Sequence, residues 1–204
     1  MGGPPITLAV TGASGALYAL RTAIALLEAG RLLEVVISPT GRDVLAEELG
    51  MRGGFADLVA EKLGRGLDEG SLIEYGNDRL DAPPASGSHR SAGMAVVPCS
   101  MKTLAAVASG LSRTLVERAA DVALKERHPL VLVPRESPMS LIQLRNAAAA
   151  AEAGAAIVPA SPAFYHRPSS FDDLADFIAG RVLSQLGIEH RLFSPWGGDD
   201  GRTG

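Results

Sequence analysis

The sequence predicts a single α/β domain in three layers, a parallel sheet covered by helices on both faces. Three observations predict it. Short, wholly apolar runs of strand length alternate with helix-length segments, the pattern of strands buried on both sides. The first run ends in a tight turn of small residues that opens directly into a helix, TLAVTGASGA at residues 7–16. Each loop after such a run, at 11–15, 38–40, 98–103, 134–138 and 160–168, carries polar or charged residues. Those loops lie beyond the carboxyl ends of the strands, where sheets of this kind bind ligands.

The first strand is expected at Ile6–Val10, and Leu17, Leu20, Ile24 and Leu27 mark the helix that follows, with Gly30 as its end. Leu32–Ile37 reads as the second strand. Ser38-Pro39-Thr40 then opens a helix that runs to about Leu49 and closes at Gly50. Phe55, Leu58, Val59 and Leu63 give a short amphipathic helix. Residues 76–93 are turn-rich and polar and read as one long loop, a feature that is usually functional in a compact domain. Met94–Pro98 is the third strand. Leu104–Leu124 is helical with a break near Gly110, Pro129–Pro134 is the fourth strand and Ala155–Pro159 the fifth. Leu141–Ala153 and Phe171–Leu186 are helices ended by Gly154 and Gly187. One domain over residues 1–196 is expected, with a disordered Gly/Asp-rich tail over 197–204.

Bulk properties narrow the function. The chain has 204 residues, 47% of them hydrophobic, and a formal net charge of −4. No Lys/Arg-rich run occurs, which disfavours nucleic acid and anionic membrane as partners. One cysteine, Cys99, excludes an internal disulfide framework and fits a reducing compartment. The N-terminus lacks a basic leader and no apolar stretch is long enough to span a bilayer, so the expected location is the cytoplasm.

The turn Thr11–Gly15 lets a ligand approach the backbone and leaves the first N–H groups of the helix pointing above the sheet, which suits a phosphate. A plain strand-to-helix turn would look the same, and Ser14 suits either a helix cap or a phosphate contact. A dinucleotide is disfavoured. The second strand ends in Ser38 where an acid would hold the ribose, and no Tyr is followed by Lys four residues on. A mononucleotide fits better, with Ser38, Ser100 and Thr103 as small hydroxyl donors or merely as helix caps. Arg118 and Lys125 share one helix face with Asp121 between them, which is also how a solvated face reads. Arg135-Glu136 follows the fourth strand directly, facing the expected crevice. Tyr165-His166-Arg167 follows the fifth, and Arg181 could join it around a small phosphate. Glu48 sits in the doublet Glu47-Glu48 and could be helix surface.

At this point TGASGA, DAPPASGS (Asp81–Ser88), PCSMKTLAAVASG (Pro98–Gly110), ERAADVALKERHPLVLVPRE (Glu117–Glu136) and PAFYHRP (Pro162–Pro168) resemble the flavin prenyltransferases of the UbiX type. The match runs from about Ile6 to Trp196. The resemblance implies a Rossmann-like (flavodoxin-like) fold shared with the flavin-dependent cysteine decarboxylases. It also implies a transferase that joins dimethylallyl phosphate to reduced FMN at N5 and C6 without a metal. The product, prenylated FMN, would serve a partner decarboxylase of the UbiD type, in ubiquinone biosynthesis or aromatic-acid metabolism, and the assembly would be a homo-dodecamer with sites at subunit interfaces.

By the same resemblance, Gly12, Ala13 and Ser14 bind the FMN phosphate region, and Ser38, Ser100, Met101, Lys102, Thr103 and Arg135 hold the rest of the flavin. Lys125, Glu136, Tyr165 and Arg181 surround the dimethylallyl phosphate, with Arg118 nearby. Ala85 and Ser86 line the isoprenyl pocket, Trp196 offers a π-face to the allyl fragment, and Glu48 is the acid/base carboxylate. The catalytic set so implied is Glu48, Lys125, Glu136 and Ser14. The segment Met51–Gly70 matches poorly and is assigned nothing. A cysteine decarboxylase would need an early histidine and a Met-Asn clamp. His89, His128, His166 and His190 all come later than the second helix, and no Met-Asn pair exists. A non-enzymatic flavin carrier would have no use for a second phosphate site.

Overall fold

The computed structural model describes residues 3–193. Trp196 and the tail from 197 to 204 lie outside the described residues. Six parallel strands form one sheet: β1 (Ile6–Val10), β2 (Leu33–Ile37), β3 (Leu72–Gly76), β4 (Gly93–Cys99), β5 (Leu130–Pro134) and β6 (Ala156–Ile157), in the spatial order β3-β2-β1-β4-β5-β6. Among the described residues seven α-helices cover it: α1 (Ala16–Glu28), α2 (Pro39–Leu49), α3 (Phe55–Leu63), α4 (Met101–Ala108), α5 (Leu115–Lys125), α6 (Leu141–Glu152) and α7 (Phe171–Gln185). The three-layer α/β architecture is the one expected. The strand order reverses between β1 and β4, so a crevice opens above those two strands.

The four central strands are buried at every residue. Side chains alternate between two cores. Leu8, Val10, Val35, Ile37, Val97 and Val133 face α1, α3 and α7. Ala9, Val36, Val96, Cys99 and Leu132 face α4, α5 and α6. Helices α5 and α7 therefore stand on opposite faces of the sheet, which decides how the candidate residues can meet.

Three elements differ from expectation. β3 carries no unbroken apolar run, because it is a half-buried edge strand; it takes Leu72–Gly76 out of what read as featureless chain and loop. Within that loop a single 3-10 turn, Pro83–Ala85, folds onto α5 and buries Pro84 and Ala85. β6 is two residues long rather than five, although Val158 N–H to Leu132 O (2.9 Å) and Ala160 N–H to Pro134 O (3.0 Å) carry its alignment further.

One side chain ties the two strands at the switch point. Thr11 is 1% exposed, and its hydroxyl donates to Pro98 O (2.8 Å) and accepts from Ser100 N–H (2.8 Å). Thr11→Val keeps the shape and leaves Pro98 O the Thr11 N–H (3.3 Å), but it strips Ser100 N–H of its acceptor, so we expect a loss of roughly 1–3 kcal/mol in urea unfolding.

Candidate active site

Four loops converge at the carboxyl edge: the turn after β1, the starts of α2 and α4, and Arg135-Glu136 after β5. The first is built around two close approaches. Gly15 takes φ 115°, a left-handed conformation natural to glycine, and starts α1 without a side-chain cap. At Gly12 a Cβ would lie 2.3 Å from Thr40 Oγ1 and 2.5 Å from Thr40 Cβ, so the turn and the first turn of α2 touch. Gly12→Ala must push α2 outward, at a cost of roughly 1–3 kcal/mol. Binding of a mononucleotide at the turn should weaken about ten- to a hundredfold when titrated calorimetrically.

The N–H groups at the start of α1 do not remain open to an anion, contrary to the simplest reading of the turn. Glu48, at the far end of α2, folds back onto them. Its carboxylate accepts from Gly15 N–H (2.9 Å) and Ala16 N–H (2.8 Å), and the Ser14 hydroxyl bonds to it as well. Ser14 thus caps no helix; it serves Glu48. The physical reason is local: a carboxylate on the neighbouring helix satisfies orphan donors and the positive end of the α1 dipole. Partial burial pushes the Glu48 pKa up, but the bonds from Ser14, Ala16 and Gly15 and the nearby Arg135 charge together hold it below the usual range. Glu48 is therefore an ionised carboxylate fixed against the turn rather than passive helix surface. Arg135 completes the cluster by donating Nε–H to Ser14 O (3.0 Å).

Ser38 and Ser100 are both helix N-caps. Ser38 Oγ accepts from Gly41 N–H (3.0 Å), and Ser100 Oγ accepts from Thr103 N–H (3.3 Å) and lies 3.0 Å from Thr103 Oγ1. Capping uses an oxygen lone pair, and each serine forms a hydroxyl pair with a threonine, Ser100 with Thr103 and Ser38 with Thr40, in which one O–H of the two remains for a ligand. Thr40, which the sequence reading passed over, lies 3.4 Å from Ser38 Oγ beside Gly12. Only the contact made in three dimensions reveals it. These hydroxyls, the small-residue turn, Met101-Lys102 at the start of α4 and the Arg135 cation fit a mononucleotide phosphate and its polyol. Glu136 accepts from Ser137 N–H (3.1 Å) and Gln143 Nε2–H (3.4 Å).

The remaining candidates stand apart. Arg118 donates Nε–H to Ala85 O (3.0 Å) and pairs with Asp121 (2.7 Å), so it joins α5 to the turn bearing Ala85 and Ser86. Lys125 pairs with Glu126 (2.8 Å) at the last turn of α5. Since α5 feeds into β5, that turn lies at the edge where the strands begin, opposite the crevice. Tyr165 and Arg181 line an open cavity with His190 and Phe193 on the α7 side. The His166 ring stacks on Phe177 (5.5 Å) and meets Tyr165 edge-on (5.6 Å). One chain does not gather Lys125 with Tyr165 and Arg181. Cys99 is fully buried, and burial pushes its thiol up to about 12, which removes it as a nucleophile. Among the described residues no group of three or more His, Cys, Asp or Glu is placed to hold a metal, and no helix is long and apolar enough to cross a membrane.

Comparison with known proteins adds to this geometry. The family model described as Flavoprotein matches residues 1–183. The flavin prenyltransferase UbiX of Pseudomonas aeruginosa is 45% identical over 203 residues, covering 97% of this chain and 96% of that protein. The crystal structure of AnUbiX (PadA1) in complex with FMN and dimethylallyl pyrophosphate superposes with a TM-score of 0.85 at 38% identity, covering 96% of this chain and 98% of that one. A dodecameric FMN-dependent UbiX-like decarboxylase from Escherichia coli O157:H7 gives 0.83 at 38% identity, over 95% and 100% of the two chains.

Proposed function

We propose that this chain, which belongs to the flavoprotein family and within it to the flavin prenyltransferases, joins the dimethylallyl group of dimethylallyl phosphate to reduced FMN at N5 and C6, giving prenylated FMN. The observation that carries the reading from the chain's own geometry is the Ser14–Glu48–Arg135 cluster: an ionised carboxylate fixed beside a cation at the rim of a mononucleotide crevice.

Reduced FMN supplies the nucleophilic N5 and C6 of its ring system. The chain does the rest. Gly12, Ala13, Ser14, Ser38, Ser100, Met101, Lys102, Thr103 and Arg135 seat the flavin across the crevice. Lys125 and Arg181 hold the departing phosphate, one as a point charge and the other as a planar fork, so that its negative charge meets cations already in place. Tyr165 adds a hydroxyl donor, and Glu136 orients the cation or protonates the phosphate. Glu48 takes the proton released on ring closure. Ala85, Ser86 and the residues around them keep water from the allyl fragment, and Trp196 offers it a π-face.

The positions of Lys125 and Arg181 support an assembly in which one subunit completes its neighbour's site, and we take the working form to be a homo-dodecamer. A UbiD-type decarboxylase is the proposed recipient of the product, and the cytoplasm the proposed location. The test is anaerobic incubation with reduced FMN and dimethylallyl phosphate followed by mass spectrometry. A flavin heavier by one five-carbon unit is expected; unchanged FMN would refute the activity.

A further inference from the structure

The four central strands carry one carboxylate among their side chains, Glu34, the second residue of β2. It is 4% exposed. The side chain faces α5 and the loop over it, away from the carboxyl-edge crevice. Its partner comes from that loop: His89 Nε2 lies 3.0 Å from each carboxylate oxygen. Burial raises the Glu34 pKa, while the charge and hydrogen bond of His89 oppose the rise. Thr7, Met94, Ala119, Ala123 and His128 line a small cavity together with His89, and Tyr75 on β3 feels the Glu34 charge.

A buried carboxylate in a strand that otherwise reads Leu, Val, Val, Ile is an inefficient way to add stability, since apolar residues of similar volume do as well or better. What the pair adds is direction: a bond that forms at one loop position only. The loop is pinned at two points. Arg118 holds the carbonyl of Ala85 from α5, and Glu34 holds His89 from the sheet. From Ala82 to His89 the chain is a run of tight turns, Ala85 N–H to Ala82 O, Ser86 N–H to Pro83 O and His89 N–H to Ser86 O, and the last of them links His89 directly to Ser86, beside Ala85.

We propose that Glu34 and His89 form a positioning pair that fixes where Ala85 and Ser86 stand, and through them sets the affinity for the isoprenyl donor. The inference rests on the reading that Ala85 and Ser86 line the isoprenyl pocket. It concerns neither the flavin seat nor the proton acceptor, so its signature is selective.

The experiment compares the full-length wild type with His89→Ala, His89→Gln and the double variant Glu34→Leu/His89→Leu, the last retaining no buried unpaired charge should His89→Ala fail to fold. In His89→Ala and the double variant, KM for dimethylallyl phosphate should rise roughly tenfold. The kcat and the FMN affinity should stay at wild-type values, and backbone amides of residues 85–92 should exchange faster. His89→Gln, which keeps an N–H donor, should restore most of the affinity. Unchanged KM and unchanged loop exchange in the double variant would overturn the proposal, as would a parallel fall in kcat, donor affinity and FMN affinity. If the wild type makes no prenylated flavin, the activity reading fails by itself, and amide exchange of the loop still decides whether the pair positions it.

Discussion

Glu48→Gln is expected to bind FMN as wild type does and to form prenylated FMN roughly 10²–10⁴-fold more slowly, the range for loss of a positioned proton acceptor. The variant keeps shape, and its amide oxygen can still accept from Gly15 and Ala16, so the turn should survive. The charge is lost, and with it the base. The pH profile adds a second reading. Glu48 has a depressed pKa in the folded chain, so it stays ionised as the pH falls through the usual carboxylate range. Its contribution to stability is accordingly present above the unfolded-state pKa and lost as the pH drops through the lower folded-state value. In wild type the acid limb of kcat should lie below that of an ordinary glutamate; in Glu48→Gln this limb should vanish. Wild-type turnover in the variant would remove Glu48 from the mechanism.

Lys125→Ala and Arg181→Ala should each lower activity on the order of a hundredfold, because each removes a cation from a charge-separating step. Their mixture should recover. Helices α5 and α7 lie on opposite faces of the sheet, and Lys125 sits at the edge where the strands begin. A site using both residues must draw them from two subunits. Subunits of the two variants, dissociated, mixed equally and reassembled, should regain about a quarter of wild-type activity, the chance that a shared site receives its intact half from each donor chain. Recovery at the level of the separate variants would mean that the two residues do not meet in one site.

The layered architecture was legible in the sequence because the central strands are apolar at nearly every position, a pattern that only strands buried on both faces allow. The edge strand β3 escaped because Glu74 and Tyr75 interrupt its apolar run. Those interruptions have structural causes: Glu74 receives Phe55 N–H at the start of α3 and pairs with Arg42 of α2. The flavin-side candidates share one sheet edge, as their places after successive strands implied. Glu48 was named by resemblance, but its fold-back onto Gly15 and Ala16, thirty-odd residues away in sequence, has no local signal. The contact of Thr40 with Gly12 and the burial of Glu34 against His89 are likewise long-range. Periodicity shows which face a residue takes, not which distant side chain meets it.

The central claim is that two anionic groups are held side by side, one belonging to the flavin and one to the isoprenyl donor. Crystals of the assembled protein grown with FMN and soaked with dimethylallyl phosphate test it most directly. The account predicts flavin density across the Gly12–Ser14 turn beside Arg135, and a second phosphate bounded by Tyr165 and Arg181 with Lys125 of an adjoining subunit. Flavin seated in the crevice with protein packed where the second phosphate should lie would contradict it.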